Sequence, residues 1–117
     1  MRVLLVDDDS AGLDIRRLIL ERHGFEVVTA ADAAQARAKF TVQRPDVVVM
    51  DLRLPEAADG LALIREFQGS KIVVLCGNRA DLDGREEAKM VAAILGKPVR
   101  SEELIKHLRG DLKDLSG

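Results

Sequence analysis

Three short runs in this chain, VLLV at residues 3–6, VVVM at 47–50 and IVVLC at 72–76, contain no polar residue at all. A strand with one wet face alternates apolar and polar side chains. An unbroken run rich in β-branched residues instead predicts a strand covered on both faces, as in a parallel sheet. Two further runs, EVVTA at 26–30 and AAIL at 92–95, are weaker strand candidates. Parallel strands need crossovers, and helical patterns separate all five runs.

The first crossover starts after Ser10, a candidate N-cap. Ala11, Ile15, Leu18, Ile19 and Arg22 then share a face, and Gly24 supplies a stop. Asp32 with Gln35 has the spacing of a capping box and opens an Ala-rich helix reaching Phe40. Residues 61–67 predict a short third helix. Residues 81–91 predict a fourth, polar at first and interrupted by Gly84, and the fifth starts at Ser101 with Glu102 and Glu103 in its first turn. Leu104, Ile105, Leu108 and Leu112 form the apolar stripe of that last helix. Five βα units in 117 residues imply a single domain, 1–117, built as a doubly wound α/β sandwich. Right-handed crossovers favour the strand order 2-1-3-4-5.

In such a sheet ligands bind beyond the carboxyl ends of the central strands. Reading the first, third, fourth and fifth strands at those ends yields Asp7 and Asp8, then Asp51, Cys76 and Lys97. Clustered carboxylates repel one another unless a cation joins them. Mg²⁺ takes oxygen ligands and is commonly held by one or two carboxylates together with phosphate oxygens. Acids with a nearby lysine therefore suggest phosphoryl chemistry, in which metal and ammonium neutralise charge on the equatorial oxygens. Asp51, projecting from the end of a rigid strand, is the best nucleophile.

The segments VLLVDDDS, VVVMDLRLPEAADG, IVVLCGN and LGKP, in that order and spacing, resemble the receiver domains of two-component response regulators. The similarity runs from Arg2 to about Leu112. It implies a (βα)5 flavodoxin-like fold and a Mg²⁺-dependent phospho-acceptor in a phosphorelay. By resemblance, Asp51 takes the phosphoryl group from a histidine kinase or phosphotransfer protein. Asp8 ligates Mg²⁺ directly, Asp7 acts through a metal-bound water, and Arg53 contributes its backbone carbonyl, so its side chain need not matter. Lys97 pairs with the phosphoryl group, and the Lys97–Pro98 bond is expected to be cis. Pro55 and Gly60 match the loop and turn between the third strand and third helix. Asp9 corresponds to a variable position, a surface acid at a helix start.

Two positions depart from the family pattern. Cys76 stands where a Thr or Ser usually moves to bond the phosphoryl oxygen, and a thiol is a weak donor. Ile94 stands at the usual aromatic switch position, in a chain with no Tyr or Trp. The chemical apparatus is thus expected intact and the relay altered. That leaves open the alternative of a pseudo-receiver, an interaction module independent of phosphorylation.

Other classes fit poorly. A haloacid dehalogenase-type hydrolase needs an acid two residues after the nucleophile, where this chain has Arg53. A flavin binder needs a Ser/Thr/Gly-rich first loop in place of DDDSAG. The net charge of −2 argues against a strongly electrostatic binder of nucleic acid or anionic membrane. No apolar run approaches the roughly 18 residues of a membrane span. A single cysteine excludes a disulfide framework, and two histidines far apart do not suggest a metal cluster. These features point to a cytoplasmic protein. The resemblance implies a downstream effector, met through the face of the fourth helix, fifth strand and fifth helix, and allows a phosphorylation-linked homodimer. No output domain is expected in this chain. Whether it acts alone or belongs to a longer protein stays open.

Overall fold

The structure is a computed structural model that describes the backbone of residues 1–116 and the side chains of residues 1–109. Its five strands are β1 (Arg2–Val6), β2 (Glu26–Ala30), β3 (Val47–Asp51), β4 (Lys71–Cys76) and β5 (Ala93–Gly96). They form one parallel sheet in the order β2-β1-β3-β4-β5. Four helices accompany them: α1 (Ser10–Arg22), α2 (Ala33–Gln43), α3 (Ala57–Glu66) and α4 (Ser101–Ser116).

The unbroken apolar runs have the expected cause. Leu4, Val6, Val48, Met50, Ile72, Val74 and Cys76 point to one side of the sheet and pack with Leu63, Ile64 and Phe67 of the α3 region. Val3, Leu5, Val47, Val49, Val73 and Leu75 point to the other and meet Leu13 and Leu20 of α1 and Leu104, Ile105 and Leu108 of α4. Alternate residues of one strand therefore feed two separate cores, and neither face is left for water. Leu112, the last residue of the expected α4 stripe, lies outside the described side chains.

Several local expectations need correction. The fourth of the five expected helices does not form. Residues 79–91 make two short 3-10 turns, Arg79–Asp81 and Glu86–Lys89. Gly84 between them sits at φ +74, outside helical geometry, and Arg85 is extended. Only Leu82 and Glu87 in these turns and their connection are buried, with Ala88 and Met90 partly covered, too little apolar contact to hold a longer helix against the sheet. The (βα)5 pattern is thus realised with four α-helices.

In α1 the N-cap is Asp9, not Ser10, and Ile15 and Leu18 are 60% and 50% exposed. The core face is the Leu13–Leu20 line instead. Apolar residues fall on two faces of this helix, Leu13 with Leu20 and Ile15 with Leu18 and Ile19, so periodicity alone did not choose between them. The capping pair of α2 forms with a shift of one residue. Asp32 accepts from the Gln35 amide at 2.7 Å, while Gln35 reaches back to the Ala31 amide at 2.9 Å. Finally, α3 begins at Ala57, with a reciprocal cap between Glu56 and Asp59, so Gly60 belongs to the helix and not to a turn. A Cβ on Gly60 would lie only 2.0 Å from the Leu52 carbonyl oxygen. Glycine there lets α3 close against the chain immediately after Asp51.

Candidate functional site

The site is set by register. β1 pairs with β3 from Val3–Val47 to Val6–Met50, which brings Asp7 and Asp51 out at the same sheet edge. β3 pairs with β4 through Asp51–Leu75, so Cys76 emerges one residue further on. The Lys97 amide donates to the Cys76 carbonyl at 3.0 Å, continuing the β5 ladder and placing Lys97 on the rim.

Oxygens of Asp7, Asp8 and Asp51 all lie within 4.8 Å of one another. Carboxylates at that spacing repel one another unless cations stand between them. Each acid has a different environment. Asp7 is buried, accepts the Asp9 amide at 3.0 Å and faces Arg16 of α1 at 3.4 Å. Asp51 is buried and accepts the Lys97 ammonium at 2.5 Å. Asp8 is exposed. Burial works against the Lys97 charge, but the hydrogen bond and charge of Asp51, with Asp7 adding, outweigh it and raise the lysine above its ordinary range. The donor set of three acid oxygens suits a hard divalent cation such as Mg²⁺.

A cavity of about 500 Å³ opens over these groups, lined by Asp8, Asp51, Arg53, Cys76, Asn78 and Lys97 among others. Cys76 is 2% exposed, and its thiol donates to the Asn78 carbonyl at 2.9 Å. Ile94 is not part of this cavity. It is half-buried beside Leu82 and Ala88 at a second, smaller cavity of about 120 Å³, and its carbonyl accepts from Arg79. Asp9 remains an exposed acid at the start of α1. Both Lys97–Pro98 and Leu54–Pro55 are cis, the second without warning from the sequence reading.

Three neighbours of the acids and their cavity escaped that reading: Arg16, Asn78 and Asp81. Arg16 is legible in part, as a cation on the second turn of the helix that follows Asp7. Asn78 and Asp81 carried no such signal. Asp81 receives a two-pronged pair from Arg53, with Nε and Nη2 each 3.0 Å from a carboxylate oxygen. The hydrogen bonds to Asp81, together with its charge, raise the Arg53 pKa further above its already high ordinary value.

The match to known proteins covers the same elements. The family model for the response regulator receiver domain matches residues 3–109. The chain belongs to the response regulator receiver domain family. Among curated relatives, the transcriptional regulatory protein TrcR of Mycobacterium tuberculosis is 35% identical over 97% of this chain. PrrA of the same organism is 34% identical over 96%. The alignments cover 46% of TrcR and 50% of PrrA, so the receiver domain spans about half the length of these relatives. Among solved structures, a CheY-like receiver domain from Methylobacillus flagellatus superposes with a TM-score of 0.83 at 28% identity, covering 94% of this chain and 97% of that one. Receiver domains of response regulators are signalling modules of phosphorelays rather than enzymes acting on metabolites. Among the described residues of this one, no helix is long and apolar enough to cross a membrane.

Proposed function

We propose that this receiver domain is a Mg²⁺-dependent phospho-acceptor, phosphorylated on Asp51 by a histidine kinase or phosphotransfer protein. The observation that carries the reading is the convergence at Asp51: the Lys97 ammonium at 2.5 Å, and Asp7 and Asp8 oxygens within 4.8 Å.

An Asp51 carboxylate oxygen attacks the phosphorus of the donor phosphohistidine. The new O–P bond forms as the P–N bond breaks, and the imidazole leaves with the electron pair of that bond. Lys97, already against the attacking carboxylate, follows the charge onto the phosphoryl oxygens. Asp7 is held in place by Arg16 and the Asp9 amide. Asp8, Asp51 and the Arg53 backbone carbonyl would hold Mg²⁺ directly, with Asp7 acting through a bound water. When bound, the ion neutralises charge building on the transferring group. The same constellation, with water as the attacking group, supports self-catalysed dephosphorylation. The expected output surface is the segment of the two 3-10 turns with β5 and α4, meeting an effector protein or a second copy of the chain.

Intact-mass measurement after incubation with Mg²⁺ and acetyl phosphate tests this. A phosphate-sized gain is expected in the wild type and absent in Asp51→Ala. No gain with any phosphodonor, kinase included, refutes it and favours the phosphorylation-independent interaction module that Cys76 and Ile94 motivate.

A further inference from the structure

In the proposed chemistry Arg53 acts only through its backbone, yet its side chain is not idle. The fork to Asp81 joins the loop after β3 to the first 3-10 turn, and both residues line the phospho-acceptor cavity. Asp81 is well shielded, its side chain 16% exposed, whereas the Arg53 side chain is 55% exposed and has room to move. The turn that carries Asp81 is also tied to β5, since Arg79 donates to the Ile94 carbonyl at 3.0 Å. Leu82, the next residue after Asp81, plugs the core at 1% exposure. Arg53 is therefore a physical connection between the acceptor loop and the segment that leads into β5.

A guanidinium fork fits a phosphoryl group as well as a carboxylate. A phosphoryl group carries about −1.5 to −2 charges and three strong acceptors, against the single charge of Asp81. Placed on Asp51, two residues before Arg53 and in the same cavity, it becomes a direct competitor for the fork. The side chain at residue 76 cannot take this role well, because its thiol is a weak donor already spent on the Asn78 carbonyl.

We propose that the Arg53 side chain is a further phosphoryl-binding group, which exchanges Asp81 for the phosphoryl oxygens at Asp51 and thereby frees the first 3-10 turn. This rests on the reading of Asp51 as the phospho-acceptor. The Arg53–Asp81 pair then holds the unphosphorylated arrangement, and the exchange couples the acceptor loop to the turn tied to β5.

Beryllofluoride with Mg²⁺ serves as the phosphoryl mimic. Fluorine NMR reports its occupancy at Asp51, and the Arg53 Nε–H resonance reports the partner of the guanidinium. The Arg53 signal is expected to shift on binding. Asp81→Asn should tighten beryllofluoride binding roughly tenfold, since the guanidinium no longer leaves a carboxylate. That gain should vanish in an Arg53→Gln background, a non-additivity that a general loss of negative charge does not produce. A bound-fluoride signal with an unmoved Arg53 resonance overturns the exchange alone. So does an Asp81→Asn gain that survives without Arg53. Absence of any bound-fluoride signal in the wild type overturns the phospho-acceptor reading, and the exchange with it.

Discussion

Gly60→Ala sets two effects of opposite sign against each other. Gly60 lies within α3, and in a helix interior alanine is favoured over glycine by about 1 kcal/mol. Propensity alone thus predicts stabilisation. The added Cβ, however, would stand 2.0 Å from the Leu52 oxygen, 2.7 Å from its carbonyl carbon and 2.8 Å from its Cα. All three obstacles are backbone, and the first is roughly 1.4 Å short of ordinary contact. Neither α3 nor the end of β3 can yield that much without disturbing packed neighbours, so the upper end of the overpacking range applies, about 3 kcal/mol. The net expectation is a loss of about 2 kcal/mol. With an unfolding entropy of about 2.1 cal/mol/K per residue, that lowers Tm by about 8 °C. Gly12→Ala is the internal control. There the nearest atom is Asp9 Oδ2 at 3.0 Å, the tip of an exposed side chain that can rotate away, so the propensity gain should survive. With no Trp or Tyr in the chain, melting followed by circular dichroism is the suitable assay. Because Leu52 adjoins Asp51, beryllofluoride binding should weaken in Gly60→Ala and not in Gly12→Ala. If Gly60→Ala melts at or above the wild type, the close-approach argument is wrong.

Mg²⁺ should raise the Tm of the wild type in a concentration-dependent way and do so far less in Asp8→Asn; equal shifts in both proteins would place the ion elsewhere. Cys76→Thr should lengthen the phosphorylated lifetime or strengthen the conformational response to beryllofluoride, and an identical response in both proteins refutes the role assigned to the thiol. Glu87 is held below the ordinary carboxylate range by its own backbone amide and then by Arg65, at 2.8 Å. A depressed folded pKa stabilises fully above the unfolded value near 4.5 and less as pH falls through the folded one. Urea melts of wild type and Glu87→Gln should therefore differ at pH 7 and converge towards pH 3, whereas a pH-independent difference removes the ion pair as its cause. Among the described residues, the same variant leaves Arg65 paired with the more exposed Glu86 at 3.6 Å.

The acidic rim was legible from the chain because it depends on a short argument. Three runs without polar alternation require a two-sided parallel sheet, and the residues at their carboxyl ends must then share an edge. Asp7, Asp8 and Asp51 follow from that, and Lys97 joins them through the weaker fifth run, since strand register and crossover handedness leave little freedom. What the runs could not supply was the identity of groups arriving from other elements. Arg16 reaches Asp7 only because α1 turns its Leu13–Leu20 line inward, a choice that a helix with apolar residues on two faces does not advertise. The fourth helix was expected over residues of which only Leu82 and Glu87 became fully buried, and Gly84 took the left-handed conformation that a helix forbids.

Determined by sequence alone, then, are the sheet, its order and the acids that meet at its edge, because a period-two backbone with two buried faces admits few arrangements. The tertiary structure alone decided that Asp7 has Arg16, that Gly60 touches the Leu52 carbonyl, and that Arg53 grips Asp81. Those contacts join residues 8 to 28 positions apart across different loops and helices. Their partners are set by how the helices and turns pack on the sheet, which no local pattern encodes.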